Sequence, residues 1–477
     1  MIKTKLLAFA VLVSFSMAIW GAAAALAAPQ DEHTPEQPAV QPEETPTTDQ
    51  AAQPAIYRPQ GSVITPDSSV AHPEDAGVRA HTNHLIFVPE GRQVSSPVPD
   101  FTFAETPASM ACVYKVGPTY AGCNPSTGGT NHATGGWGAI ALVDAYDNPN
   151  AGSDLSFFSS YFGLPAAKFT KVYANSSFGA LNGLTASCSG RPVANSGWGL
   201  EEDLDIQWAH AMAPNAKIFL IEACSNSYND LLYAEEVAGI KVSGSGGGDI
   251  SNSWSSGEFS GEVGSGADDF FHRYYWQSIT YFASAGDAGW GAGYPTSSPW
   301  VVSAGGTTVN RDANGNFTSE SCWSGSGGGV SAFELWQSPP NISNGMGPWA
   351  AFQYPFAGQT GRQTPDLSFN ADPNSGVYVY DTYGYGGWVI VGGTSVSSPS
   401  LAGIVNASNN RLGQAPNVGG YYTTEENNLL YDQLFAHTAY PANFYDVQTG
   451  SNGSGHNAGV GYDQCTGVGS PRGKLGK

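Results

Sequence analysis

Between Gly138 and Ala304 the chain alternates short, continuous apolar runs with stretches of helical period, and this alternation restricts it to few architectures. Ala139-Ile140-Ala141-Leu142-Val143 offers no polar position on either face, so it reads as a strand buried on both sides. Ile218-Phe219-Leu220-Ile221 is a second such run, and Ile279 to Ala283 and Val301 to Ala304 give two more. Helical spacing is found over Asp154 to Phe162, Leu200 to Ala213 and Tyr228 to Ile240. Strands separated by helices pair side by side rather than as hairpins, which predicts an α/β fold: a doubly wound, mostly parallel sheet with flanking helices. Gly/Ser tracts at 243–248 and 324–329 read as loops. Neither continues into Gly-Lys-Ser/Thr, so a phosphate-cradling loop is rejected.

The N-terminal part has a different character. Met1-Ile2-Lys3-Thr4-Lys5 precedes an apolar run from Leu6 to Ala27 that ends in the small-x-small pattern Ala25-Leu26-Ala27. Residues 1–27 therefore read as a secretory signal peptide, which places the mature chain outside the cell with no membrane attachment after cleavage. Residues 29 to about 56 are rich in Pro, Glu, Gln and Thr, with no Lys or Arg between Lys5 and Arg58, and are expected to be a disordered arm. We assign 28–100 to this arm plus a short pro-region, and 101–477 to the main domain.

Net charge is -22, from 40 acids against 18 Lys and Arg, with no cationic cluster; nucleic acid is excluded as a partner. The few bases and nine His also cap the positive charge the chain can carry in acid, limiting self-repulsion there. Six cysteines suit an oxidising compartment and allow 15 connectivities. Cys112–Cys123 brackets a short loop; Cys188–Cys224 and Cys322–Cys465 are the expected remainder.

Chemistry concentrates at three places. Gly392-Gly393-Thr394-Ser395-Val396-Ser397-Ser398-Pro399 resembles the way subtilisin-type folds present a nucleophilic serine at a helix start. There the Ser395 backbone N–H can stabilise an oxyanion, and Pro399 falls early in the helix. Yet the chain has no His-Gly pair, and His210 sits mid-helix beside Trp208, so a triad of Asp144, a histidine and Ser395 is disfavoured. Glu201 and Asp205 lie four apart in Leu200-Glu201-Glu202-Asp203-Leu204-Asp205-Ile206-Gln207, hence on one helix face. Two carboxyls sharing a proton can act as a base, one tuning the other. Asp287, in Ser284-Ala285-Gly286-Asp287, follows a buried strand; in protonated form it could donate to an oxyanion.

The chain resembles the sedolisins, or serine-carboxyl peptidases. Supporting segments are Ser251-Asn252-Ser253-Trp254, Tyr294-Pro295, Gly305-Gly306-Thr307-Thr308 and Pro365-Asp366, in the family's order across about residues 110 to 471. The resemblance implies a subtilisin-like fold and a monomeric, secreted, acid-active endopeptidase or tripeptidyl-peptidase made as a zymogen, acting on proteins or peptides. It implies Ser395 as nucleophile, Glu201 as general base, Asp205 orienting it, Asp287 at the oxyanion, and Ser253 and Trp254 lining the substrate cleft. It further implies one structural Ca²⁺ held by Asp446 and Asp463 with carbonyls of Val447, Gly459 and Gly461, hard oxygen ligands in a wrapping loop. Two features depart from the family: the region before Phe101 is short for a folding pro-domain, and position 207 is Gln where an acid is usual. Competing readings are a catalytically silent binding protein on the same scaffold and a histidine-dependent subtilisin-type peptidase.

Overall fold

The computed structural model describes residues 57, 59–263, 267–272, 278–335, 353, 361–409, 425–436, 439–453 and 455–477; the expected signal peptide and acidic arm lie outside them. In chain order the elements are β1 (Gly61–Ile64), β2 (His81–Thr82), β3 (Leu85–Pro89), α1 (Pro107–Val113), β4 (Ala139–Ala145), α2 (Ala151–Phe162), β5 (Lys168–Ala174), α3 (Ser196–Met212), β6 (Lys217–Ala223) and α4 (Tyr228–Ser243). They continue with β7 (Gly248–Asn252), β8 (Trp254–Gly257), α5 (Asp269–His272), β9 (Ile279–Ser284), β10 (Gly293–Tyr294), β11 (Val301–Arg311), β12 (Phe317–Cys322), β13 (Gly329–Leu335) and β14 (Gly361–Thr364). β15 (Leu367–Asn370), β16 (Val377–Asp381), β17 (Gly387–Gly392) and α6 (Thr394–Ser408) complete the part that builds the site.

The main sheet runs β12-β11-β9-β7-β4-β6-β5, with β15 added beside β11. All neighbours pair parallel except β11 with β12. β4 is buried along its whole length, as its unbroken apolar run requires. The winding reverses at β4: later strands are added towards β5 on one side and towards β11 on the other. A crevice forms outside the carboxyl ends of strands where order reverses, and Asp144, Ser253 and Ser284 all lie there, at or just past the ends of β4, β7 and β9.

The strands and helices expected from periodicity are present, each extended by one to several residues. Part of the segment read as arm and pro-region packs against the main domain. β3 forms hydrogen bonds with β1 on one side and β17 on the other, and Ile86 and Phe87 are buried in the main core. The Ile86-Phe87 pair is short, and its partner strand lies about 300 residues away, so no local pattern announces it. All three expected disulfides are formed. No helix among the described residues is long and apolar enough to cross a membrane.

Many carboxyls are inside. Burial pushes Asp249 up to about 8, Glu222 to about 7 and Asp381 to about 6. Asp381 belongs to a buried cluster with Asp154 and Asp203. An unfolded carboxyl titrates near about 4, below these folded values, so the folded protein holds extra protons between about 4 and 8. Their contribution to stability is complete below about 4 and is lost as pH rises through the folded values. The Tm measured by calorimetry should therefore be several degrees higher near pH 4 than near pH 8. Asp249→Asn, which keeps the acceptor for Asn406 Nδ2 at 2.8 Å, should reduce the difference. A Tm that rises with pH over this range contradicts the assignment.

Candidate active site

α3 is capped by Asn195, whose Oδ1 accepts from Gly197 N and Trp198 N at 3.0 and 3.1 Å. Every residue from Trp198 to Met212 is buried, so its acids lie inside the protein rather than on a solvated face. Glu201 and Asp205 are both fully buried on this helix. α6 crosses α3 closely because Gly403 has no side chain; a Cβ there would lie 2.7 Å from Met212 Cβ. Ser395 enters as the second residue of α6 and is also fully buried.

Pro399, expected early in the helix, is the sixth residue of α6. Proline has no N–H, so the carbonyl of Ser395, four residues earlier, has no helical donor. The Ser253 hydroxyl lies 3.4 Å from that carbonyl and donates to Asp205 Oδ1 at 2.6 Å. Ser395 Oγ donates to the Ser253 carbonyl at 3.2 Å. Ser253 thus joins the serine to the acid on α3.

Burial, then the charges of Asp144 and Glu201, raise Asp205 well above the usual carboxylate range. Asp144 is raised in the same way, by burial and then by Glu201 and Glu222, and neither of its oxygens has a partner. The sequence reading set Asp144 aside with the histidine triad. The structure makes it a third carboxyl beside Glu201 and Asp205, and its place at the end of a fully buried strand was the available signal.

Asp287 Oδ1 accepts from Thr394 N at 2.7 Å and from Thr394 Oγ1 at 2.8 Å. Its Oδ2 is shielded from solvent without a partner, and burial pushes the group up to about 8. Below that pH the carboxyl carries a proton and is a donor.

The cleft is crossed by residues 81–85. β2 pairs antiparallel with β8, His81 against Ser255 and Thr82 against Trp254. Asn83 N donates to the Ser253 carbonyl at 3.2 Å, and the Asn83 carbonyl accepts from Ser395 N at 3.0 Å. The next residue, His84, is fully buried and its Nδ1 lies 2.6 Å from Glu201 Oε2. Glu201 Oε1 and His84 Nε2 have no partner. Glu201 and Ser395, separated by 194 positions, therefore touch consecutive residues of one extended segment. The sequence carried no sign of His84 at this place, because a His-Leu pair in a pro-region has no local signature.

Trp254 has two faces. Its indole is core, with Nε1 donating to the Val143 carbonyl at 2.9 Å and the ring edge-on to Tyr228. Its backbone pairs with Thr82 in the segment that crosses the cleft.

In the C-terminal loop, Gly461 N donates to Asp446 Oδ1 at 3.0 Å, and Gly459 N to Asp463 Oδ2 at 2.9 Å. Asp463 also accepts from Cys465 N and Thr466 N. Burial still raises it, which is what a carboxylate lacking a counter-charge shows. Val447 is buried beside Asp446. These contacts bring Gly461 to Asp446 and Gly459 to Asp463, with Val447 next to Asp446 in the chain.

The fold and the cleft define an α/β protein of subtilisin-like architecture in which a serine at a helix start is linked through Ser253 to a carboxyl on a neighbouring helix. No family model matches the chain. It is 30% identical over 367 residues to kumamolisin from Bacillus sp. (strain MN-32), covering 70% of this chain and 58% of that protein. It is 30% identical over 226 residues to sedolisin from Pseudomonas sp. (strain 101), covering 41% and 33%, and 26% identical over 340 residues to tripeptidyl-peptidase 1 from Dictyostelium discoideum, covering 67% and 50%. The chain thus spans between about a third and three-fifths of the length of these relatives. The solved structure of Pseudomonas sedolisin complexed with two molecules of pseudo-iodotyrostatin shares the fold, with a TM-score of 0.58 at 23% identity, covering 78% of this chain and 96% of that one. The chain belongs to the sedolisin family.

Gly393, which caps α6, has φ +100°, and a Cβ there would sit 2.3 Å from the Asn83 oxygen and 2.4 Å from Asp287 Oδ2. Gly393→Ala adds both backbone strain and a clash inside the cleft. The variant should lose at least about 1–3 kcal/mol of stability, read as a lower denaturation midpoint in urea. An unchanged midpoint contradicts this geometry.

Proposed function

We propose that the protein is a secreted serine-carboxyl peptidase that hydrolyses peptide bonds in acid. The observation that carries the reading is that Ser395 N–H bonds to the Asn83 carbonyl while the Glu201 carboxylate meets the side chain of the next residue, His84. Ser395 Oγ is the nucleophile, and Glu201 takes its proton and returns it to the leaving amine. Glu201 Oε1, buried and unpartnered, is available for that proton. Asp205 is the residue that orients Glu201, and Asp144 is coupled to both through charge. The oxyanion is met by Ser395 N–H and by protonated Asp287. Near pH 4 a free imidazole is almost fully protonated, whereas a glutamate can still accept a proton. Membership of the sedolisin family and the acid-favouring burial of carboxyls support the same reading, and the disulfides suit secretion.

A second reading is favoured by one contact: His84 against Glu201 could form a histidine-carboxylate pair serving Ser395. Against it, Ser395 Oγ bonds to the Ser253 carbonyl. Hydrolysis of denatured protein near pH 4 by the processed enzyme should fall by at least about 10³-fold in Ser395→Ala and in Glu201→Gln. His84→Ala should retain activity. No hydrolysis by wild type above that of Ser395→Ala favours a silent binding protein; loss in His84→Ala together with Ser395→Ala favours the histidine mechanism.

Asp446 and Asp463, with carbonyls of Val447, Gly459 and Gly461, are the residues that would hold Ca²⁺. The ion would brace the C-terminal loop, and no chemical step passes through it. Chelation should lower the Tm by several degrees, and Asp463→Asn should remove the response to added Ca²⁺. A Tm insensitive to chelator overturns the site.

A further inference from the structure

The side chain of Asn83 lies in a pocket of its own. Asn83 is 1% exposed, and its Nδ2 donates to Ser255 Oγ at 2.9 Å and to Ser284 Oγ at 2.7 Å. Ser255 Oγ in turn lies 3.1 Å from Asn83 Oδ1. Both serines are buried, at 4% and 0% exposure. β8 supplies one of them beside the edge that pairs with β2, and the end of β9 supplies the other. Hydroxyls buried in this way must keep a partner, and a carboxamide satisfies both at once. An apolar side chain in the same place leaves two hydroxyls unpaired, and a site built to hydrogen-bond its substrate rejects analogues that cannot do so.

We propose that this pocket selects asparagine on the acyl side of the bond that is cut, and that the first bond selected is the chain's own Asn83–His84. The inference rests on the peptidase reading above and adds the substrate class. Asn83 occupies the position of an acyl donor in three respects: its N–H bonds to the Ser253 carbonyl, its carbonyl to Ser395 N, and its side chain to the two serines.

The step balances within the chain and one water. Ser395 Oγ adds to the Asn83 carbonyl carbon as its proton passes to the Glu201 carboxylate. The bond from that carbon to the His84 nitrogen then breaks, and Glu201 returns the proton to the departing amine. Water hydrolyses the resulting ester, leaving a carboxylate at Asn83, a free Ser395 and a new N-terminus at His84. β1 and β3 remain paired with each other, and β3 with β17, so both pieces can stay bound after the cut.

The test uses the full chain, expressed as wild type and as Ser395→Ala, Asn83→Leu and Ser284→Ala. After incubation at about pH 4, each is denatured and its N-termini are sequenced. Wild type should yield an N-terminus at His84, Ser395→Ala should stay intact, and Asn83→Leu should be cut at that bond at least about tenfold more slowly. On a matched peptide series, processed wild type should show kcat/KM at least about tenfold higher for asparagine than for leucine or phenylalanine at the acyl position. Ser284→Ala should collapse that ratio towards one. Activity on all peptides with no asparagine preference, or an N-terminus elsewhere, overturns this inference and leaves the peptidase reading standing. No cleavage of any substrate by wild type overturns the peptidase reading itself.

Discussion

The structure depends on carboxyl groups being removed from water with few bases to neutralise them. Glu201 and Asp205 share one face of a fully buried helix, and Asp144 comes up beside them from the end of the central strand. Ionising Asp144 and Asp205 in that setting is costly, because burial raises both and the neighbouring carboxylate charges raise them further. The group therefore behaves as a proton store. At low pH it is largely neutral and compatible with the fold; as protons leave, charge accumulates where solvent cannot screen it. Burial of these carboxyls thus ties stability to acid.

Sheet topology delivers the remaining parts. Reversal of winding at β4 opens a crevice, and the ends of β4, β7 and β9 place Asp144, Ser253 and Asp287 along it. Gly403 lets α6 lie close against α3, and Gly393 leaves room for a carbonyl between Ser395 and Asp287. Pro399 frees the Ser395 carbonyl from the helix, where Ser253 approaches it. Small residues and one proline thus set distances that polar residues then use.

The fold was largely legible in the sequence, since strands buried on both faces cannot hide their pattern: Ala139 to Val143 and Ile218 to Ile221 could be read directly. Ser395, Asp205 and Ser253 stood out through their contexts, but the bridge that Ser253 makes between the other two did not. What could not be read was the role of residues 81–89. His84 reaches Glu201, and Phe87 reaches the core, only through pairing with β8 and β17, which lie far away in sequence. Such pairing depends on register and on which faces are buried, neither of which a five-residue stretch encodes alone. Trp254 was ambiguous for a related reason, its side chain and its backbone serving different neighbours. Asp144 was visible but carried a meaning borrowed from histidine triads.

The central claim is that a carboxylate deprotonates the attacking serine. The most direct measurement is the pH dependence of kcat/KM for the processed enzyme on one uncharged peptide, from about pH 2 to 8. A carboxylate base predicts a rise through about pH 3–5 and substantial activity at pH 4. A rise that begins only near about pH 6.5, with negligible turnover at pH 4, would assign the proton to an imidazole and contradict the account.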